Sequence, residues 1–378
     1  MLKFTDKRGN TIYAYQHPAK LNIHIDFGGA SGCTVFLARG TVCLGRSTVH
    51  VRGDNATLFV GDSELGNTQL FLDENSCIYI GNKCHFNPWK RSQMIRGIGG
   101  CVLFIGNDNL FSENLEMSTV DQHVLYDMAS LEHVNENKSI YIGDHVWLGR
   151  NSTVLKNSRM ASGCMLGIGS LLAGKYAPAN SVNVGVPARP KVMNKLWTHD
   201  INFYCSQEII DSQAVLEQGN PAIERGIFEH DSSVVLRPCD IECTLKSLKT
   251  SFEKIAFLYD AFYIKAAHNR FAWSEEEALA KEGKLLSYGD SFTSLLANAC
   301  LRERRWEALP EFTPDQYKAI DLMGLWQKRY VIYCRYWRLT MMSRICWGKK
   351  KKRYKEKRRH CKELVRRIQA LKSLMQKP

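Results

Sequence analysis

The hydrophobic positions between residues 142 and 172 recur with a period of six. The aliphatic members of this series are Ile142, Leu148, Val154, Met160, Leu166 and Leu172. Small residues follow four positions after the first five of them, at Val146, Ser152, Ser158, Cys164 and Ser170. An amphipathic helix has a period of about 3.6 and a two-faced strand a period of about two. The period of six instead predicts a β-helix, in which six residues form one flat face and its corner.

The same pattern extends toward the N-terminus with interruptions. Three pairs of an aliphatic residue and a glycine each begin a repeat: Val60-Gly61, Ile80-Gly81 and Ile105-Gly106. Phe86 and Phe111 follow the last two pairs at the expected spacing. Residues 88–100 and 113–138 break the period, and we expect both segments to leave the coil as loops, where binding and catalytic groups concentrate.

The pattern changes after Lys195, where the period of six ends and helical spacing begins. Residues 248–267 predict an amphipathic helix, and Ser274 followed by Glu277 forms the signature of a capping box. We therefore expect a mainly β N-terminal half and a mostly α-helical C-terminal region. The predicted units are a β-helix of residues 1–195, a helical accessory or capping domain of residues 196–327 and a basic amphipathic tail of residues 328–378.

Charge is concentrated in this tail. Residues 328–378 hold 19 Lys and Arg but two acidic residues, a net charge of +17, whereas the rest of the +13 chain carries −4. Aromatic and apolar residues alternate with the basic ones before Lys349, which opens a polybasic run. This pattern favours binding to an anionic membrane surface, at the inner face of the cytoplasmic membrane. An acidic polymer is a close second partner.

Several absences in the sequence narrow the class of protein further. The N-terminal residues do not read as a signal peptide, and no run of about eighteen apolar residues would span a bilayer. The 13 cysteines include no Cys-x-x-Cys pair, so we expect free thiols, no metal and a cytoplasmic location.

Residues 140–149 and 185–189 resemble the hexapeptide-repeat acyltransferases, which are left-handed parallel β-helices that mostly use acetyl-CoA. The two segments read Ile-Tyr-Ile-Gly-Asp-His-Val-Trp-Leu-Gly and Gly-Val-Pro-Ala-Arg. Within that family the chain looks most like the bacterial O-acetyltransferases of capsular and other surface polysaccharides. Those enzymes share the block Asp121-Gln-His123, then Asp127 and a repeat that contains Trp147. The resemblance covers about residues 20–192 and implies transfer of an acetyl group to a polysaccharide hydroxyl.

The resemblance implies a role for each of these residues. His123 is the candidate general base, because a neutral imidazole accepts a hydroxyl proton well near neutral pH. Asp127 or Asp121 is a candidate to orient its ring, although a backbone carbonyl would serve equally well. Trp147 precedes an inward aliphatic residue, so its indole is expected to face outward and line the site. His145 fits a variable polar position, and we expect it to be structural or exposed to solvent.

The family resemblance also implies where coenzyme A binds. In the family it lies along the coil edge, between adjacent subunits of a homotrimer. The small residues Gly149, Gly167 and Gly169 are expected to let the pantetheine approach the backbone. Lys175 and Arg189 are candidates for the phosphates.

Three other functions remain open at this point. The nearest is an acetyltransferase that acts on a small metabolite such as a nucleotide sugar, an amino sugar or serine. A zinc-dependent carbonic anhydrase of the same fold would need three converging histidines, for which His123, His133 and His145 are poorly spaced. A noncatalytic scaffold is the third alternative.

Overall fold

The computed structural model describes residues 1–88, 92–200, 236–265 and 270–302, together with Gln207, Asp211 and Val215. The chain divides into two compact units, Met1–Tyr288 and Gly289–Pro378. The predicted basic tail of residues 328–378 and three residues of the predicted loop, 89–91, lie outside the described residues. The first unit contains the coil and the candidate site.

Three sheets form the faces of the coil, and their strands are numbered along the chain. Sheet 1 contains β1 (Leu2–Thr5), β2 (Thr11–Ala14), β4 (Thr34–Leu37), β7 (Thr57–Val60), β10 (Cys77–Ile80), β13 (Val102–Ile105), β16 (Ile140–Ile142), β19 (Arg159–Met160) and β22 (Tyr176–Ala177). Sheet 2 contains β5 (Val42–Cys43), β8 (Glu64–Leu65), β11 (His85–Phe86), β14 (Leu110–Phe111), β17 (Trp147–Leu148), β20 (Met165–Leu166), β23 (Val182–Gly185) and β24 (Ala188–Val192). Sheet 3 contains β3 (Ile23–Asp26), β6 (Ser47–Val51), β9 (Thr68–Leu72), β12 (Gln93–Gly97), β15 (Glu116–Ser118), β18 (Thr153–Leu155) and β21 (Leu171–Leu172).

The chain visits sheets 1, 2 and 3 in turn, and neighbouring coils pair in parallel. Antiparallel pairs, β1 with β2 and β23 with β24, stand at the two ends of the stack. All six aliphatic residues of the period are buried, and so are the small residues between them, including Cys164. The predicted fold class, a left-handed parallel β-helix of hexapeptide repeats, is therefore confirmed.

The prediction of a loop over residues 88–100 is wrong. This segment contains β12, which pairs with β9 and β15 and buries Ile95 in the core. Its strand alternates inward and outward residues and ends in Gly97, so it lacks the spacing of the later repeats. In the second interrupted segment, β15 also belongs to the coil, and the loop comprises residues 120–138.

A 3₁₀ turn lies between β2 and β3, and the other described helices follow the coil in sequence. Their bounds are a 3₁₀ turn (Pro18–Leu21), α1 (Pro238–Ser247), α2 (Ser251–Leu258), a π-helical turn (Tyr259–Tyr263), α3 (Glu275–Leu279) and α4 (Ser291–Arg302). The predicted capping box is present at the start of α3, and α2 with its π-helical turn forms the helix expected over residues 248–267. Among the described residues, no helix is long and apolar enough to cross a membrane.

Helical residues of the first unit cover the outer face of sheet 1. A ladder of outward aromatic rings runs along this face, with Phe36 and Phe59 4.5 Å apart and Tyr79 and Phe104 4.7 Å apart between centroids. Phe262 packs edge-on against Phe104 at 4.9 Å. Strands buried on both faces have continuous apolar sequences, as β10 and β13 do. We call this surface the covered face; the domain boundary at residue 195 stays a prediction.

One buried ion pair joins the covering segment to the coil. The Arg270 guanidinium donates to both Asp144 carboxylate oxygens, at 3.0 and 2.9 Å, and both side chains are 3% exposed. The Arg270 backbone N–H also donates to Asp144, at 3.0 Å. This bidentate geometry satisfies two charges that would be costly to bury singly.

Candidate active site

A groove of about 580 Å³ lies along the corner where sheet 2 passes into sheet 3. Four successive coils build its wall, because each contributes the residue that directly follows an inward residue of sheet 2. These residues are Asn87, Ser112, Gly149 and Gly167. Because the coils stack regularly, the residues at this one repeat position line up and form a continuous groove.

Two of the three predicted glycines line this groove. A Cβ atom added to Gly149 would lie 2.7 Å from the backbone nitrogen of Ile168, and one added to Gly167 would lie 2.7 Å from Cγ1 of Val184. The wall at these positions is therefore bare backbone. Gly169 has a φ of +65° and open space in front of it, but it does not line the described groove.

Trp147 faces outward into the groove, the orientation expected from its sequence position. Its side chain is 40% exposed, and its Nε1 lies 3.5 Å from Oγ of Ser112. Its ring centroid is 6.1 Å from that of Trp197. The indole therefore offers a flat face and a weakly engaged donor to a ligand.

Sequence reasoning missed the charged and apolar groups of the groove. Arg150 and Glu113 line it and form an ion pair with an N–O distance of 3.5 Å. Ile168 also lines it and is 65% exposed. All three lie two positions after an inward residue of sheet 2, so the repeat register itself is the signal that identifies them.

His123 lies in the loop of residues 120–138, at the corner between sheets 3 and 1. Asn135 holds the loop together: its Nδ2 donates to the carbonyl of His123 and to Oδ2 of Asp121, both at 2.9 Å. The backbone N–H of Leu125 donates to Oδ1 of Asn135 at 2.7 Å. Within the described part of the chain, the exposed His123 ring makes no hydrogen bond.

The two candidate carboxylates contact other groups than this ring. Asp121 accepts from the Lys156 ammonium at 2.7 Å, and that hydrogen bond lowers the pKa of the Asp121 carboxyl. Asp127 accepts from the backbone N–H groups of Ser130 and Ala129, which lower its pKa in the same way. Both carboxylates shape the loop, and the structure does not bring either to the imidazole of His123.

The loop also exposes an unusual amount of apolar surface. We call these residues the apolar loop patch: Val124, Leu125, Tyr126, Met128, Leu131 and Val134. Met128 is 94% exposed and Leu131 75%. Exposed apolar patches of this kind mark surfaces that another molecule covers.

The predicted phosphate-binding residues are separated from each other. Lys175 is exposed between β21 and β22, at the same corner as the His123 loop. Arg189 is exposed on β24 in sheet 2, where it pairs with Val184. Neither residue lines the groove in a single copy of the described chain.

A second polar cluster lies at the corner between sheets 1 and 2. His145, expected to be structural or exposed, is buried there between Asp108 and the Trp197 ring. His199 approaches the other oxygen of Asp108. Burial alone would raise the pKa of Asp108, but hydrogen bonds from His145 and His199 hold it well below its ordinary value. His133 instead contacts Asn135, so the three histidines considered for zinc do not converge.

The resemblance to hexapeptide-repeat O-acetyltransferases is confirmed by two curated proteins. The chain is 31% identical over 112 residues to the polysialic acid O-acetyltransferase of Neisseria meningitidis. The aligned region covers 29% of this chain and 50% of that protein. It is 32% identical over 109 residues to the galactoside O-acetyltransferase of Lactococcus lactis subsp. lactis. Here the aligned region covers 29% of this chain and 51% of that protein. The chain thus spans about half the length of the curated relatives it matches.

Among solved structures, the chain is similar to the polySia specific acetyltransferase NeuO, at 21% identity and a TM-score of 0.42. The alignment covers 55% of this chain and 94% of the NeuO chain. No family model matches the chain.

Proposed function

We propose that the protein is an acetyl-CoA-dependent O-acetyltransferase that modifies a hydroxyl of a bacterial surface polysaccharide. The groove carries the proposal, because its wall combines bare backbone at Gly149 and Gly167 with the outward indole of Trp147. Backbone without side chains admits a pantetheine arm at close range. The similarity to polysialic acid and galactoside O-acetyltransferases supports the same class of reaction.

In this proposal an imidazole nitrogen of His123 accepts the proton of the acceptor hydroxyl. The hydroxyl oxygen attacks the thioester carbonyl, a C–O bond forms, the C–S bond breaks, and the imidazolium returns its proton to the leaving thiolate. The exposed ring is available for this role, since no hydrogen bond to a described residue engages it. Asp121 and Asp127 position the loop through Lys156 and the turn at Ser130.

The site is completed by a second copy of the chain, in a homotrimer. In one copy, His123 and Lys175 lie at the corner between sheets 3 and 1, whereas the groove lies at the corner between sheets 2 and 3. The full width of sheet 3 separates these corners, so the loop of one copy meets the groove of the next. In this arrangement the neighbouring copy buries the apolar loop patch, which is exposed in a single copy. Lys175 comes with the loop to the phosphate end of coenzyme A, and Arg150 and Arg189 come from the groove side.

We further propose that residues 328–378 hold the enzyme at an anionic surface, either the inner face of the cytoplasmic membrane or the acidic polymer itself. The support is the net charge of +17 in this segment. Replacing Lys349, Lys350, Lys351, Lys352 and Arg353 by Gln is expected to weaken binding to anionic liposomes at low salt. Binding of the unaltered protein to neither liposomes nor acidic polymer would contradict this proposal.

An acceptor panel tests the proposed reaction. The purified protein is incubated with acetyl-CoA and with bacterial polysaccharides, galactosides, amino sugars, nucleotide sugars or serine, and both free coenzyme A and acceptor mass are measured. We expect coenzyme A release that depends on polysaccharide, with the mass of acetyl groups added to the polymer. Acetylation of galactosides alone would favour the second candidate, a small-saccharide acetyltransferase, which the match to the galactoside enzyme supports.

A further inference from the structure

The cluster at the corner between sheets 1 and 2 has no role in the proposed acetyl transfer. Asp108 and His145 occupy the same corner position on adjacent coils, with φ values of +59° and +54°. The backbone N–H of His145 donates to Asn107 O at 2.8 Å, which fixes the stacking of the two corners. Both side chains are buried, whereas that of His199 is 42% exposed. The rigid coil thus supplies two groups, and the segment after β24 supplies the third.

Three potential metal ligands converge in this cluster. Nδ1 of His145 lies 2.9 Å from Oδ2 of Asp108, and Nε2 of His199 lies 3.3 Å from Oδ1. One ligand atom from each of the three residues lies within 4.8 Å of the others. Ligands held about 2.0–2.2 Å from a common zinc ion are separated by about 3–4 Å. Small side-chain movements are therefore enough to bring all three to one ion.

Each ring nitrogen of His145 lies beside an oxygen that only accepts. Nε2 lies 2.9 Å from the carbonyl oxygen of Trp197, and Nδ1 lies 2.9 Å from Oδ2 of Asp108. An ion between Nδ1 and the carboxylate would bind both, while Nε2–H donates to the carbonyl. A carbonyl on the far nitrogen is the outer partner that metal-binding histidines usually have.

We propose that Asp108, Nδ1 of His145 and Nε2 of His199 bind one divalent transition-metal ion, of which Zn²⁺ is the best match. Two imidazoles and one carboxylate are a ligand set that zinc accepts, with a fourth position left for water on the exposed side of His199. The site differs from the three-histidine arrangement considered from the sequence. It also departs from the expectation of a protein without metal.

The position of the site gives the ion a structural role. The Trp197 ring stacks on His145 with a centroid distance of 4.0 Å and an interplanar angle of 5°. Trp197 in turn lies 6.1 Å from Trp147, which lines the groove. A bound ion fixes the segment of Trp197 and His199 against the coil, and so supports the groove wall. This inference does not depend on which acceptor the groove takes.

Metal binding is tested on the full-length protein after treatment with a chelator. Zn²⁺ uptake is measured by titration calorimetry, and Co²⁺ is used as a spectroscopic probe. We expect one ion per chain, a higher melting temperature with Zn²⁺, and a loss of affinity of at least about tenfold in His199→Ala, at a side chain that is 42% exposed. Asp108→Asn is a second variant with the same expected direction.

The matched control is His85→Ala, because His85 also pairs with a carboxylate, Glu64, at 3.2 Å but lies outside the cluster. Its Zn²⁺ affinity is expected to equal that of the unaltered protein. Absence of Zn²⁺ uptake by the folded protein would overturn the proposal. Uptake that His199→Ala and Asp108→Asn leave unchanged would overturn it as well, since the ion would then bind elsewhere.

Discussion

The covered face and the loop of residues 120–138 differ in whether the chain buries its own apolar surface. On the covered face, aromatic rings of successive strands are buried under helical residues, and the Arg270–Asp144 pair joins the two layers. The loop leaves the coil at a corner, exposes the apolar loop patch and presents the His123 imidazole, to which no described residue hydrogen-bonds. The contrast shows that one face of the β-helix is occupied by its own chain. The apolar loop patch remains open, and it begins at Val124, next to the candidate catalytic residue His123.

The largest expected effect comes from the loop side of this comparison. His123→Ala is expected to lower the rate of acetyl transfer by about 10²–10⁴, the usual cost of removing a positioned general base. The melting temperature is expected to stay unchanged, because the ring is exposed and supports no described contact. His24→Ala, at an exposed histidine of β3, is the control and should keep full activity. Full activity of His123→Ala would assign the base to another residue.

On the covered face we expect a substitution to lower the stability of the fold, whereas His123→Ala is expected to lower activity alone. Arg270→Ala leaves the Asp144 carboxylate buried without its partner, which typically costs about 3–5 kcal/mol of unfolding free energy. Arg52→Ala breaks the exposed pair with Asp26, 2.9 Å long, and should cost far less, because solvent screens exposed charges. Urea denaturation of both variants measures the difference. Equal stabilities of the two variants would mean that the covering segment contributes little to the fold.

A smaller effect is expected from the apolar loop patch. In the proposed trimer, Met128→Asp combined with Leu131→Asp removes apolar surface that the neighbouring copy covers, and should weaken association by at least about 10²-fold. Sedimentation is expected to show smaller particles than the trimer of the unaltered protein. The control is Leu44→Asp, at a 56% exposed leucine outside the loop. If both variants sediment like the unaltered protein, the patch is not a subunit contact.

The sequence predicted the parts of the fold in which one residue position repeats without interruption. The inward series from Ile142 to Leu172 and the capping box at Ser274 are local patterns, and the structure confirms both. Residues 88–100 were misread because β12 alternates its side chains like an ordinary strand. The sequence predicted α2 and its π-helical turn as a helix, but it did not predict their packing on sheet 1, since a period reveals an apolar face and not its partner.

The sequence likewise predicted the site residues that belong to the repeat, but not the contacts between residues distant in sequence. Trp147, Gly149 and Gly167 belong to the repeat, and their places on the groove follow from it. The proposed metal site depends on Asp108 and His145, which meet because coils stack, and on His199, which the segment after β24 brings to them. The sequence also suggested Asp121 and Asp127 as partners of His123, but local hydrogen bonds direct both carboxylates to Lys156 and to a turn.

In the proposed trimer, His123 of one copy completes the groove of another, and mixed oligomers test this arrangement most directly. Ile168→Trp blocks the groove at a 65% exposed position and leaves His123 intact, whereas His123→Ala leaves the groove intact. Each variant alone is expected to be nearly inactive. Coexpressed in equal amounts, they should recover roughly a quarter of the normal acetyl-transfer activity, the share of sites in which random assortment in a closed trimer unites the two intact parts. Mixed oligomers that form but stay inactive would contradict the account.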